Sequence, residues 1–337
     1  MICHRTPSSL IAAVQKWGLH SRDIPPRQAF SHPLREKART RTPRPMTIVS
    51  LIARPGALHP ALPTSLRNAW GGGDVIWLSP DEAAEFEIAE VPSKAPEIAE
   101  TLRSQGVDFN VVPAENRRKR LLLADMDSTM IEQECIDELA AEAGIGEHVA
   151  AITARAMNGE LDFEAALEER VGLLNGLATE VIDTVIANRI TFMPGGATLL
   201  ATMHAHGSTT ALVSGGFTDF TAHVAEKLGF QSHRANTLLA EGGALTGKVA
   251  KPILGRDAKI TRLEELTSEL GLTDDDVLAV GDGANDLGML NRAGMGVAAH
   301  AKPVVAAEAR FRIDHADLTA LLYLQGYGRD TFVTPPQ

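Results

Sequence analysis

Hydrophobic and polar positions divide the chain into three regions. Up to residue 45, prolines recur and no periodic pattern is sustained beyond a short helical stretch around Leu10 to Trp17. From Met46 to residue 112, short apolar runs alternate with amphipathic helical patterns, and from about residue 118 to 325 similar runs recur at wider spacing. Alternating apolar runs and helical periods predict folded α/β or α+β units. The pattern therefore predicts an unstructured leader followed by two folded regions.

The first folded region, residues 46–112, has the element order βαββαβ. Strands are predicted at 47–53, 75–78, 84–90 and 107–112, and helices at 62–70 and 95–105. This order is typical of a small ferredoxin-like α+β module. The region contains no cluster of candidate catalytic residues, so a binding or scaffolding role is predicted for it.

The second folded region, residues 118–325, predicts an α/β fold. Short apolar runs at 121–124, 209–213, 277–280 and 295–298 are separated by helical patterns. Strands that alternate with helices indicate a doubly wound parallel sheet. The stretch between the first two runs, about 132–189, is helical throughout and too long for a simple crossover. We therefore predict that it forms an inserted helical cap beside the end of the first strand.

Composition and charge argue against several classes of protein function. The net charge of −11 argues against nucleic acid as a partner. Two cysteines, Cys3 and Cys135, provide neither a disulfide framework nor a cysteine-based zinc site. No apolar run reaches the length of a membrane span and no secretory signal pattern is present, so neither a membrane partner nor export is expected. We predict a cytoplasmic protein.

The leader, residues 1–45, differs in charge from the chain as a whole. Residues 1–45 contain nine Lys and Arg against two Asp and Glu. An Arg-rich, acid-poor start also describes an organellar transit peptide. The favoured interpretation is a disordered segment or a spurious extension, with Met46 as the true start.

Candidate chemistry gathers where the strands of the second region end. Asp125 and Asp127 follow the run 121–124, and Ser128 and Thr129 come next. Side chains alternate along a strand, so the two acids can point the same way. Open parallel sheets bind ligands at the carboxyl ends of their strands. The alternative interpretation is an ordinary acidic turn.

Two later strands end in polar residues with small neighbours. Ser214 and Gly215 follow the run 209–213, and a hydroxyl with backbone amides suits a phosphate. Asp282 and Asp286 follow the run 277–280. Together with Asp125 they form an oxygen-rich set suited to Mg²⁺. Lys259 is a candidate cation for phosphate oxygens, and the alternative is an exposed helix lysine.

These residues resemble the four motifs of the haloacid dehalogenase superfamily in order and spacing. The resemblance covers residues 118–325 and is closest to the phosphoserine phosphatase branch. It is carried by Asp125-Met-Asp-Ser-Thr129, Ser214-Gly-Gly-Phe217, Lys259 and Gly281-Asp-Gly-Ala-Asn-Asp286. Arg256 lies near the lysine motif, but Lys259 has the matching distance to Asp282. The preceding module resembles the ACT-like domains of bacterial family members, which implies a regulatory role and an amino-acid effector.

The resemblance implies roles for the motif residues. Asp125 would be the nucleophile that forms an aspartyl-phosphate, and Asp127 the general acid and base. Mg²⁺ would be held by Asp125, Asp127 through its carbonyl, and Asp282, with Asp286 in support. The expected substrate-binding residues are Glu134, Met157, Phe163, Arg170, Ser214, Gly215, Lys259 and Asn285; Gly159 also fits the cap pattern.

The expected reaction is the hydrolysis of O-phospho-L-serine to L-serine and phosphate, the last step of L-serine biosynthesis. Glu134 would receive the substrate amine and Arg170 its carboxylate. Two alternatives stay open: a phosphatase or phosphotransferase for another small amino-acid phosphate such as phosphohomoserine, and a catalytically silent amino-acid sensor. Intact Asp125, Asp127 and Asp282 argue against the silent sensor. The sequence leaves the oligomeric state open, a homodimer included.

Overall fold

A computed structural model describes residues 46–334, and the predicted leader lies outside the described residues. Its N-terminal unit is a four-stranded antiparallel sheet in the order β2-β3-β1-β4, with two helices on one face. The order is the predicted βαββαβ, with element ends shifted by up to two residues. The elements are β1 (Thr47–Ala53), α1 (Ala61–Trp70), β2 (Ile76–Ser79), β3 (Ala83–Ile88), α2 (Ala95–Arg103) and β4 (Val107–Pro113).

The central strand β1 is buried on both faces. Val49 and Leu51 pack with the two helices of the N-terminal unit. Ile48 and Ile52 face the other way and belong to the large core of the second unit. Successive side chains of a strand point to opposite faces, so one strand supplies two cores. The N-terminal sheet is therefore a layer of a larger packed structure rather than a separate body.

Two buried charged groups join the units. Arg117 donates to both carboxylate oxygens of Glu85 on β3, at 3.0 and 2.6 Å, and to the carbonyl of Leu324 at 3.3 Å. Asp108 on β4 is fully buried and accepts backbone N–H bonds from three consecutive residues, 314, 315 and 316, at 2.8, 3.1 and 3.0 Å. The contacts fix the N-terminal sheet on the loop that ends the second sheet.

Replacing Asp108 with Asn is expected to lower the free energy of unfolding by about 1–3 kcal/mol. An amide has one acceptor oxygen, so at least one of the three buried N–H groups loses its partner. Denaturant titration of the full chain measures the change. Asp74→Asn, an exposed position on the same unit, is the matched control and should leave stability unchanged. Equal stability of the two variants would contradict this account of the junction.

The second unit is a six-stranded parallel sheet in the order β12-β11-β10-β5-β6-β7, with β5 near its centre. The predicted doubly wound sheet is confirmed, and β5 matches its prediction at both ends. The strands are β5 (Leu121–Ala124), β6 (Thr209–Phe217), β7 (Ser232–Asn236), β10 (Val277–Gly281), β11 (Met295–Ala299) and β12 (Phe311–Ile313); the helices are α7 (Gly196–Ala205), α8 (Thr218–Leu228), α9 (Arg256–Leu270), α10 (Leu287–Arg292), α11 (Pro303–Glu308) and α12 (Ala320–Leu324).

Four helices and a hairpin lie beside the end of β5. The helices are α3 (Cys135–Glu142), α4 (Gly146–Met157), α5 (Phe163–Gly172) and α6 (Glu180–Asn188); the hairpin is β8 (Leu238–Glu241) with β9 (Ala244–Val249). Sequence patterning missed the hairpin, which bonds to the segment after α5. Gly247 has φ +68°, and a Cβ there would lie 2.9 Å from the Asn175 side chain. We call this group of helices and hairpin the cap.

Among residues 46–334, no helix is both long and apolar enough to cross a membrane.

Candidate active site

Asp125 and Lys259 form the centre of the site. Asp125 follows the last residue of β5, and its backbone N–H donates to the carbonyl of Val280 on β10. Lys259 Nζ lies 2.7 Å from Asp125 Oδ1 and 2.6 Å from Asp286 Oδ1. The lysine side chain is 2% exposed, so the exposed-helix alternative is wrong. A buried lysine between two carboxylates can also reach anionic oxygens that enter the same space.

The loop after β10 brings two further acids to Asp125. Asp286 Oδ2 accepts from the backbone N–H groups of Asp282 and Gly283, at 3.1 and 3.0 Å. Thr129 donates its hydroxyl to Asp282 Oδ1 at 3.0 Å. The loop needs glycine at 281, since a Cβ there would lie 2.4 Å from the Asp286 carboxyl carbon. Because β5 and β10 are adjacent in the sheet, acids that are far apart in the chain lie close together.

The three acids fit a divalent cation. Asp125, Asp282 and Asp286 are buried and offer oxygen atoms that lie within 4.8 Å of one another. Asp282 Oδ2 accepts no well-aligned hydrogen bond, and its neighbouring cation is Lys302 Nζ at 3.2 Å. A buried carboxylate oxygen without such a bond is costly unless a cation binds it. The oxygen-only donor set is the kind that hard divalent ions prefer.

The pKa values of these acids are raised because the acids are buried close to one another. Burial, and then the charge of Asp286, raises the pKa of Asp282 to about 6. The same two causes raise the pKa of Asp125 well above its ordinary range, although Lys259 opposes them. Burial works against the charge of Lys259, but Asp125 and Asp286 raise its pKa. The site is short of positive charge, which a bound cation would supply.

Asp127 has different neighbours from Asp125. Its Oδ1 accepts from the backbone N–H of Cys135 at 3.0 Å, and its Oδ2 accepts from the Ser214 hydroxyl at 3.3 Å. A Cβ at Gly216 would lie 2.5 Å from the same Oδ2. Burial raises the pKa of Asp127, against the bonds from Cys135 and Ser214. A carboxyl with a raised pKa is suited to proton transfer.

Two side chains at the cap, the carboxyl group of Glu134 just before α3 and the guanidinium of Arg170 on α5, line the same cavity. Ser128, which has φ +53°, donates its hydroxyl to Glu134 Oε1 at 2.7 Å. Burial, and then the charge of Asp127, raises the pKa of Glu134 to about 8. Arg170 on α5 is 2% exposed and lines the same cavity as Glu134. Glu134 is half-buried and Arg170 is buried, so neither side chain is a free surface charge.

Two adjoining cavities of about 20 Å³ each run between the cap and the sheet. One is lined by Asp125, Ser214 and Asp282, and the other by Arg170 and Leu167. A cavity of that size holds about one water molecule, so a larger ligand enters only when the cap moves. The residues shared by both linings are Asp127, Glu134, Met157, Phe163, Gly215 and Gly216.

The structure brings every predicted site residue to this place. Asn285 lines the cavity that Asp125 and Asp282 also line, and its buried Oδ1 has no hydrogen-bond partner among the described residues. The individual roles assigned to these residues stay predictions.

Sequence reasoning missed two residues of the site. Lys302 follows β11, and its position after a strand end was the available signal. Asn236 donates to the carbonyl of Gly215 at 2.9 Å and accepts from the Leu254 N–H at 2.7 Å, which holds the Ser214–Gly215 segment of β6 in place. No sequence pattern marked Asn236.

Comparison with known proteins agrees with the fold. The family profile of haloacid dehalogenase-like hydrolases matches residues 122–291. The chain belongs to this family of hydrolases. Within the family, it is 42% identical over 255 residues to a Streptomyces coelicolor protein named phosphoserine phosphatase, covering 74% of this chain and 62% of that one. A Lactococcus lactis protein of the same name is 45% identical over 60% of this chain and 94% of its own length.

A solved structure described as a phospho-aspartyl intermediate analogue of phosphoserine phosphatase is also similar. It superimposes with a TM-score of 0.59 at 40% identity, covering 61% of this chain and 98% of that one. The present chain spans less than two thirds of the Streptomyces relative but nearly all of the Lactococcus relative.

Proposed function

We propose that the protein is a phosphoserine phosphatase, which hydrolyses O-phospho-L-serine to L-serine and phosphate in the last step of L-serine biosynthesis. The observation that carries the proposal is the continuity of the two cavities. One end has Asp125, Ser214 and Lys259 for a phosphoryl group, and the other has Glu134 and Arg170 for an amine and a carboxylate. The names of the relatives support the same substrate.

In the proposed mechanism, Asp125 attacks the phosphorus and forms an aspartyl-phosphate. Asp127 gives its proton to the leaving serine oxygen and then takes one from the water that hydrolyses the intermediate. The hydroxyl of Ser214, the N–H of Gly215 and the ammonium of Lys259 bind the phosphoryl oxygens and stabilise their charge in the transition state. The solved phospho-aspartyl analogue of a relative supports this route.

The proposed cofactor is Mg²⁺, held by Asp125, the carbonyl of Asp127 and Asp282, with Asp286 in support. Bound there, it would neutralise phosphate charge and favour the ionised form of the nucleophile. Arg170 would pair with the substrate carboxylate and Glu134 with its amine. Met157 and Phe163 close the cavity around the substrate, and Asn285 is a polar neighbour of the phosphate and the amine.

A phosphate-release assay across small amino-acid phosphates tests the proposal. O-phospho-L-serine should give the highest kcat/KM, as the names of the similar phosphoserine phosphatases suggest. Phosphohomoserine, which carries the same amino and carboxyl groups, is the competing candidate. Higher kcat/KM for phosphohomoserine, or transfer of phosphate to free homoserine, would replace the proposed substrate.

Removing divalent cations with a chelator is expected to abolish phosphate release, and added Mg²⁺ should restore it. A ligand that binds only the folded state also stabilises it, by about 2.7 kcal/mol at a hundredfold excess over Kd. Thermal unfolding with and without Mg²⁺ therefore gives a second measurement that does not depend on turnover. Full activity after exhaustive chelation would contradict the proposed metal site.

The N-terminal unit is proposed to be an ACT-like scaffold for residues 46–112 that responds to an amino-acid effector. Its exposed edge strand β2 presents Ile76 and Trp77, which are 54% and 37% exposed, as a surface for self-association. Inhibition of phosphate release by L-serine and sedimentation of the full chain test the effector and the homodimer. The cytoplasmic location stays a prediction.

A further inference from the structure

A hydroxyl group on the inner face of the cap connects two charged side chains. Thr153 lies on α4, one turn before Met157, and is 2% exposed. Its Oγ1 accepts a hydrogen bond from Arg170 Nη1 at 2.9 Å and donates to Asp137 Oδ1 at 2.6 Å. The carbonyl of Val149, at 3.1 Å, is a second acceptor for the same hydroxyl. Thr153 thus uses its acceptor and donor functions at once.

The guanidinium of Arg170 is oriented by two contacts. Nε donates to the carbonyl of Ala166, one turn earlier on α5, at 3.0 Å, and Nη1 donates to Thr153. A guanidinium has five N–H donors in one plane, so two fixed donors determine where the others point. The remaining donors are available to the cavity that Arg170 lines. Two-point binding of a carboxylate depends on that orientation.

The arrangement keeps the charge of Arg170 available. Among residues 46–334, Arg170 forms hydrogen bonds but no ion pair. Thr153 stands between Asp137 and the guanidinium, so the neutral hydroxyl makes the contact that a carboxylate would otherwise make. A direct ion pair would compete with a ligand carboxylate for the same donors. Burial lowers the pKa of Arg170, whereas the charges of Glu134 and Asp137 raise it.

We propose that Thr153, held by Asp137, is a positioning residue that sets specificity for the carboxylate of the substrate by orienting Arg170. The inference rests on the proposed function and adds to it a pair of residues that do not touch the substrate. The phosphate end of the site contains neither residue. Loss of the hydroxyl should therefore weaken the recognition of one substrate group and leave the chemistry unchanged.

The test compares two substrates in three variants. O-phospho-L-serine and O-phosphoethanolamine share a phosphate and an amine, but only the first has a carboxylate. Thr153→Val should raise KM for O-phospho-L-serine about tenfold, the effect of losing one hydrogen bond to a charged group, with kcat within about twofold. Its kcat/KM for O-phosphoethanolamine should not change. Thr153→Ser keeps the hydroxyl and should restore the KM.

Thr267→Val is the matched control. Thr267 is 7% exposed, and its hydroxyl donates to the carbonyl of Leu263 within α9. The variant removes an equally buried hydroxyl that has no contact with Arg170, so both substrates should keep their wild-type constants. If Thr153→Val does not fold, Asp137→Asn weakens the same contact and should show the same preference with a smaller change.

Equal losses on both substrates in Thr153→Val or Asp137→Asn, or no change with either, would overturn the inference. Wild-type turnover of O-phospho-L-serine tests the proposed function separately. If the wild type does not turn it over, the proposed function fails and the inference fails with it. If the wild type is active but the Thr153 and Asp137 variants affect both substrates equally or neither, only the inference fails.

Discussion

Replacing Asp125 with Asn is expected to reduce phosphate release by about 10⁴-fold or more, because an amide cannot form the acyl-phosphate that the reaction requires. The substitution preserves shape, and the bond from the Met126 N–H at 2.8 Å keeps an oxygen acceptor. Initial rates with O-phospho-L-serine and Mg²⁺ measure the loss. Asp183→Asn, at an exposed position on the cap, is the control and should retain full activity.

A second measurement separates chemistry from misfolding. Intact mass after an acid quench should show no phosphorylated Asp125→Asn protein. In Asp127→Asn the nucleophile is intact, but the leaving oxygen has lost its acid and the hydrolytic water its base, so phosphorylated protein should still form while turnover falls about 10²–10⁴-fold. Unchanged turnover in Asp125→Asn would reject the proposed nucleophile.

Replacing Lys259 with Met is expected to lower the free energy of unfolding by about 3–5 kcal/mol, the cost of breaking a buried ion pair by removing one partner. Asp125 and Asp286 would keep their mutual repulsion without the cation between them. The rate of phosphate release by Lys259→Met should also fall, by about 10²-fold or more, because a contact to the phosphoryl group is lost. Denaturant titration and the rate assay measure the two effects.

Lys227→Met provides the comparison for Lys259→Met. Lys227 is an exposed lysine on helix α8, so its loss should change neither the free energy of unfolding nor the rate of phosphate release measurably. Added Mg²⁺ should recover part of the stability of Lys259→Met, because a divalent cation supplies charge to the same acids. A Lys259→Met protein as stable as Lys227→Met would show that the buried pair does not hold the site together.

The centre of the site could be predicted because its chemistry follows strand ends. Asp125, Ser214 and Asp282 each come just after an apolar run, and parallel strands bring such positions to one edge. Asn236 and Thr153 had no comparable signal, and Lys302 lies three residues beyond the end of β11. Their contacts depend on how a loop, a strand and a cap helix pack after folding. Strands β7 and β12 were missed for local reasons, since Ser232–Asn236 is largely polar and Phe311–Ile313 is very short.

The second covered face of the N-terminal sheet was not predicted from the sequence. Its order βαββαβ describes a complete small module, and the sequence was interpreted in that way. Strand β1, however, reads TIVSLIA, with apolar residues at both alternating sets of positions. A sheet that exposes one face alternates apolar with polar residues, whereas a strand covered on both faces does not. The continuous apolar run was the signal that a second layer covers the sheet.

The dual burial of β1 also bears on how the protein loses its structure. Ile48 and Ile52 share a core with Leu321 and Tyr323 on α12, so separating the two units exposes apolar surface on each. Neither unit can then open alone at low cost, and unfolding becomes a single cooperative transition. Ligand bound between cap and sheet would raise the melting temperature of the N-terminal strands as well, although no atom of the ligand reaches them.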